Sequence, residues 1–169
     1  TAADGPIGTI TFSMEATTVG LGQIIVPIEV PIYDKEPLSY VIDRVLKEYG
    51  FTYRCGDNGS IDNNFYLASI SKPGLAKNYL IPEDLVEALA ADGQEPDSCY
   101  DENRLGEHDF YYGSGWVYQI NGDSPNYGAS QCYAADGDVI RFRFTLNLGK
   151  DVGCAEAADG AGGNYDKEW

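Results

Sequence analysis

Gly113-Ser-Gly-Trp116-Val-Tyr118-Gln-Ile120-Asn121-Gly122, followed after a loop by Asp136-Gly-Asp138-Val-Ile140-Arg-Phe142-Arg-Phe144, decides how this chain folds. Trp116, Tyr118 and Ile120 alternate with Val117, Gln119 and Asn121, so three large groups share one face of a strand. Ile140, Phe142, Phe144 and Leu146 alternate in the same way with Arg141, Arg143, Thr145 and Asn147, the pattern of a half-buried strand. Asn121-Gly122 and Asp136-Gly137 supply residues that accept the positive φ of tight turns.

Working outward toward the N-terminus, Ile10, Phe12, Met14 and Ala16 form a further alternating strand, ended by Gly20-Leu-Gly22. Val26, Ile28, Val30 and Ile32 alternate with Pro27, Glu29 and Pro31. Proline cannot donate to a ladder, so this strand belongs at a sheet edge with its prolines outward. At Pro37 the period changes. Leu38, Val41, Ile42, Val45, Leu46 and Tyr49 make one apolar stripe at helical spacing, with Asp43, Arg44, Lys47 and Glu48 opposite. Pro37 suits the first helical position and Gly50 the position just past the end.

Phe51–Arg54 and Phe65–Ile70 read as strands, and Pro82–Ala90 as a second helix with acids in its opening turn and Gly93 beyond its end. Residues 93–113 are polar and show neither period. The expectation is one α+β domain over residues 1–154, a mixed sheet packed on one main helix. Residues 71–112 form a helical and loop insertion, and residues 155–169 a flexible acidic tail rich in Ala, Gly and Asp.

Composition narrows the function. Lys and Arg total 11 against 27 Asp and Glu, a formal charge of −16. Such a field repels phosphate backbones, and no basic stripe interrupts it, so nucleic acid is not a partner. No apolar run reaches the ~20 residues of a membrane helix, so the chain is not expected to be transmembrane. Thr1 in place of Met, with the polar lead-in Ala2–Pro6, reads as a mature or trimmed piece of a secreted precursor. Cys55, Cys99, Cys132 and Cys154 are even in number and contain no CxxC pair, which points to two disulfides in an oxidising compartment. The connectivity stays open, with Cys55–Cys99 and Cys132–Cys154 favoured.

Catalysis lacks its parts. His108, the only histidine, lies in the polar segment beside Glu107 and Asp109. Gly113-Ser114-Gly115 is not a nucleophile elbow, and neither a P-loop nor a dinucleotide fingerprint is present. The chain is therefore read as non-catalytic. Asp57, Asp62 and Asn64 lie in a turn-rich loop with the oxygen ligands of a calcium site but without the EF-hand order. Tyr111, Tyr112, Trp116, Tyr118 and Tyr127 gather around the glycine bend and suit stacking on a flat ligand or a sugar ring. For Trp116 and Tyr118 the core is the favoured place, because an alternating strand needs an inward face. Tyr111, Tyr112 and Tyr127 fall in loops and are expected to be exposed.

Taken together, Gly115–Gly122, Pro125-Asn-Tyr-Gly128-Ala-Ser, Asp136–Ile140 and Leu148-Gly-Lys-Asp-Val resemble the signature of a bacterial secreted domain of unknown function related to the C-terminal domain of transcobalamin and intrinsic factor. Gly20–Pro27 and the Pro37–Tyr49 helix fit the same pattern, so the resemblance spans residues 8–70 and 110–153. It implies a β-grasp-like sheet on one helix, in secreted or surface proteins of Gram-positive bacteria. In the eukaryotic relatives this domain covers one face of cobalamin, partly through backbone groups near the position of Trp116. These 169 residues do not include the α-barrel domain that holds the other face in those relatives, and the Trp-bearing strand carries its own Asn-Gly turn. The expected role is an extracellular ligand-binding module for a corrinoid, another flat small molecule or a glycan, as a monomer or one unit of a larger surface protein. The alternative is a calcium-binding or structural adhesion module of a cell surface.

Overall fold

A computed structural model of the chain describes residues 5–56, 59–63, 65–96, 100–123, 129–147 and 150–152. Its elements in order are β1 (Pro6–Glu15), β2 (Gln23–Tyr33), α1 (Leu38–Glu48), β3 (Thr52–Cys55), β4 (Leu67–Ser71), α2 (Glu83–Ala91), β5 (Arg104–Gly106), β6 (Gly115–Ile120) and β7 (Val139–Thr145), with short 3-10 turns between some of them. Two sheets and two helices make the α+β architecture that the two periodicities require. The larger sheet runs β2-β1-β7-β6, with β1 and β7 parallel at its centre and an antiparallel pair on either side. The smaller sheet runs β3-β4-β5, antiparallel throughout. Ile10, Phe12 and Met14 of β1, Ile140, Phe142 and Phe144 of β7, and Leu38, Val41, Ile42, Val45 and Leu46 of α1 all belong to one buried core.

Strand β2 stands at the sheet edge, where its prolines withhold donors from any further strand. Its phase differs from simple alternation. Phe12 pairs with Ile28, but Met14 pairs with Ile25, so the register slips by one residue between them. Beyond that bulge Ile25 turns inward at 2% exposure and Val26 outward at 58%.

In α1, Leu38, Val41, Ile42, Val45 and Leu46 are buried, as the stripe requires. Pro37 is the extended residue before the helix rather than its first turn. The N–H of Leu38 is satisfied from outside, by the Cys132 carbonyl at 2.7 Å. Tyr49 caps the far end and is half-exposed, and Gly50 follows with φ +81°.

Segment 71–112 joins the rest at several points. Leu85 and Leu89 of α2 reach the core. Leu80 N–H donates to the Val19 carbonyl at 2.7 Å, and β5 adds the third strand of the smaller sheet. Three residues are too short to show any period, which is why β5 is silent in the sequence.

The outer face of β7 is less open than alternation suggests. Arg143, Thr145 and Asn147 are all buried. The chain folds back after β7, so Asp151 accepts from the Thr145 hydroxyl and from Leu146 N–H, and the Val152 carbonyl accepts from Arg143 at 3.2 Å. Burial pushes the Asp151 carboxyl above its usual range, and the hydrogen bond from Thr145 and those from backbone N–H groups oppose that shift. Glu15 takes Arg141 in a two-pronged pair at 2.7 and 3.1 Å, with Arg143 3.8 Å away.

Among the described residues no helix is long and apolar enough to cross a membrane. Val45, 1% exposed at the centre of the α1 stripe, tests the packing. Val45→Asp should cost at least ~3 kcal/mol by burying an unpaired charge, whereas Tyr49→Ala should cost about 1 kcal/mol or less. Urea midpoints of the two variants check both values.

Candidate functional site

The site grows from the contact between the two sheets. Strand β6 begins at Gly115, and its next residue, Trp116, is only 2% exposed. The indole lies edge-on to Phe144 at 5.3 Å and its N–H donates to the Leu105 carbonyl of β5 at 3.0 Å. A buried indole that finds an acceptor is a strong anchor. Glycine is required at position 106, and at position 115 it leaves room for the Tyr66 hydroxyl. A Cβ at Gly106 would lie 2.3 Å from the Ser69 Cβ, and one at Gly115 2.6 Å from the Tyr66 hydroxyl oxygen. Tyr66 is 41% exposed, and its hydroxyl end lies against Gly115. Burial, and then the nearby Glu107 carboxylate, push that phenol up to about 12, against a smaller opposing effect of Arg54.

Between these glycines runs the loop 106–115, which reverses direction around Asp109. The Asp109 side chain is fully buried and takes Arg104 at 2.7 Å and the Gly106 N–H at 2.8 Å. His108 and Phe110, on either side of it, have φ of +68° and +71°. Two non-glycine residues in the left-handed region within three positions are a concentration of backbone strain, which persists only where surrounding contacts enforce it. Here the Asp109 pairings, His108 N–H to the Ser114 carbonyl at 3.3 Å and Ser114 N–H to the Tyr111 carbonyl at 3.2 Å do so.

This geometry sorts the aromatic residues. The reversal at Phe110 sends Tyr111 inward, where it bridges to Pro96 and is 3% exposed, so the expectation of an exposed Tyr111 is corrected. Tyr112 points the other way and is 75% exposed. Its ring lies 5.2 Å from that of His108, whose Nδ1 is 2.9 Å from the Tyr112 carbonyl oxygen. Tyr118 is half-buried and stacked on Phe142 at 5.4 Å. Tyr127 lies outside the described residues. Sequence reading passed over Tyr79 and Tyr100, which the fold brings together with Phe110 at ring distances of 4.5–5.5 Å. Nothing in the spacing of positions 79, 100 and 110 signals that meeting.

Asp62 is exposed and accepts from the Tyr40 hydroxyl at 2.5 Å, while Asp57 and Asn64 lie outside the described residues. Among the described residues no three His, Cys, Asp or Glu side chains come together as a metal site. Cys55 ends β3 as a free thiol, and Cys99, its favoured partner in the sequence, lies outside the described residues. Burial, and next the Asp43 carboxylate, raise its pKa, which holds it protonated and slow to exchange. Cys132 is buried; Cys99 and Cys154 lie outside the described residues.

Comparison with protein families matches residues 102–145 to one described as Domain of unknown function (DUF4430). The match runs from the turn before β5 to the end of β7 and takes in the whole strained loop. Among solved structures, a Ruminococcus gnavus protein provisionally named as metal-binding is similar over 83% of this chain and 98% of its own, at 12% identity and a TM-score of 0.37. No curated protein matches the chain.

Two measurements probe this region. Asp109→Ala leaves the Gly106 N–H without its acceptor and should cost about 1–3 kcal/mol in chemical denaturation. Cys55 should be alkylated by iodoacetamide at pH 8 more slowly than an open thiol, and faster in Asp43→Asn, as peptide mass mapping would show; a bridged Cys55 would take no label at all.

Proposed function

We propose that the chain is a non-catalytic extracellular module that lays a flat small molecule, a corrinoid or another planar ring, against the loop 106–115. The observation that carries this reading is Tyr112, a large aromatic group at 75% exposure beside His108, held on a strained backbone. An exposed ring on a rigid loop adds stacking area without the cost of ordering that loop. Strain of this kind concentrates at ligand clamps, and binding residues are disproportionately carried on loops fixed by a scaffold. The resemblance to the cobalamin-covering domain of transcobalamin and intrinsic factor supports a corrinoid as the first candidate, and extracellular placement follows from the same resemblance.

Trp116 acts in this reading as the positioning residue. Its bond to Leu105 sets the start of β6 against β5, and the loop spans the two. Tyr112 makes the contact.

The test is calorimetric titration of the whole chain with aquocobalamin, a glycan panel and calcium chloride. Aquocobalamin should bind, and Tyr112→Ala should weaken that binding about three- to tenfold while leaving the melting temperature nearly unchanged. Trp116→Ala should instead lose ~3–5 kcal/mol of stability. Binding of calcium alone, or a ligand indifferent to Tyr112→Ala, overturns the proposal.

A further inference from the structure

A second surface stands apart from the Tyr112 contact. Tyr79 and Tyr100 are each 42% exposed, with ring centroids 5.0 Å apart, and Leu80, the residue after Tyr79, is 72% exposed. Phe110, 6% exposed, lies beneath both rings at 4.5 and 5.5 Å. The patch is held in place by hydrogen bonds. The Tyr100 hydroxyl donates to the Ala76 carbonyl at 3.2 Å, Ala76 N–H to the Glu102 carbonyl at 2.9 Å, and Leu80 N–H to the Val19 carbonyl at 2.7 Å. Tyrosines presented rigidly to solvent are among the residues enriched at interaction hot spots, and an exposed apolar neighbour enlarges the patch.

The spacing of the rings says what kind of occupant fits. A planar ligand or an ammonium group held between two rings needs them roughly 7 Å apart, two carbon–carbon contact distances. At 4.5–5.5 Å these rings fill one another's space, so an occupant lies across their outer faces and along Leu80. That is a broad, shallow contact, suited to another protein.

Charge then selects among proteins. Segment 73–103 holds eight Asp and Glu against Lys77 as its single basic residue. Asp101 and Glu102 follow Tyr100 directly, close enough that both add to the upward shift of its phenol, which burial begins. The Glu102 carboxylate has no ion pair among the described residues. A lysine or arginine over a tyrosine face gains from the ring quadrupole, and neighbouring carboxylates reinforce it.

We infer that the Tyr79–Leu80–Tyr100 surface docks a basic segment of a partner protein, one that sets lysine or arginine side chains over the rings and apolar side chains on Leu80. The carboxylates draw the segment in, and the aromatic patch supplies the short-range contact that makes the position specific.

The experiment titrates the whole chain with a short peptide of Lys and Leu in irregular order, which favours neither strand nor helix, and with its Glu–Leu counterpart, followed by aromatic NMR shifts and calorimetry at low salt. The Lys–Leu peptide should shift the Tyr79 and Tyr100 resonances saturably. Its affinity should fall about fivefold or more in Tyr100→Ala and in Leu80→Ser, and also at high salt. Leu80→Ser guards against a folding defect, since the Leu80 side chain is mostly in solvent. Tyr112→Ala should leave the peptide bound, which separates this surface from the ligand loop. Equal binding of the Glu–Leu peptide overturns the inference. So does Lys–Leu affinity unchanged in both Tyr100→Ala and Leu80→Ser, which would reduce the attraction to the overall charge of −16.

Discussion

The structure depends on the parallel pairing of its first strand with its last. Residues 11–15 of β1 lie beside residues 139–143 of β7, so almost the whole chain is enclosed between two neighbours in one sheet. Loop closure on that scale carries an entropic cost that must be recovered on both faces of the pair. On the inner face Phe12 meets Phe142 at 5.8 Å. On the outer face Glu15 clasps Arg141, and the backbone after β7 returns to cover Arg143. A buried arginine and carboxylate are tolerable only with such pairing, because each alone would be costly to desolvate.

Once β1 and β7 are joined, β6 can only extend the sheet outward, and its start is set by the contact between the sheets. Trp116 lies at that contact, bonded to Leu105. The ten residues from Gly106 to Gly115 must turn back within a short span, and the positive φ of His108 and Phe110 records the cost of doing so. Asp109 absorbs that cost by satisfying the Gly106 N–H and Arg104 at once. The same reversal buries Tyr111 and exposes Tyr112. The loop's chemistry is therefore a consequence of its geometry, since two adjacent tyrosines acquire opposite environments from one backbone bend.

The family match over residues 102–145 covers this loop and the strands that hold it. The Tyr79–Tyr100 surface draws on that segment through Phe110 and on α2's approach through Leu80 and its bond to Val19. One loop thus serves two surfaces, with Tyr112 facing solvent and Phe110 serving as the floor of an aromatic cluster.

The α+β class, the amphipathic α1 with its ends at Pro37 and Gly50, the edge position of β2 and the inward face of β7 are all legible in the order of residues. Each is a local matter of side-chain period or of a residue that cannot donate or cannot bend, so each is legible in a dozen residues. Tyr112 was legible as a loop aromatic for the same reason. Tertiary contacts set the rest: Ile25 replaces Val26 in the core, Arg143 is buried, Tyr111 turns inward, and Tyr79 and Tyr100 meet. These outcomes depend on register, on a chain end folding back and on residues far apart in sequence. No period records them, because burial of a single side chain is a property of what arrives on top of it.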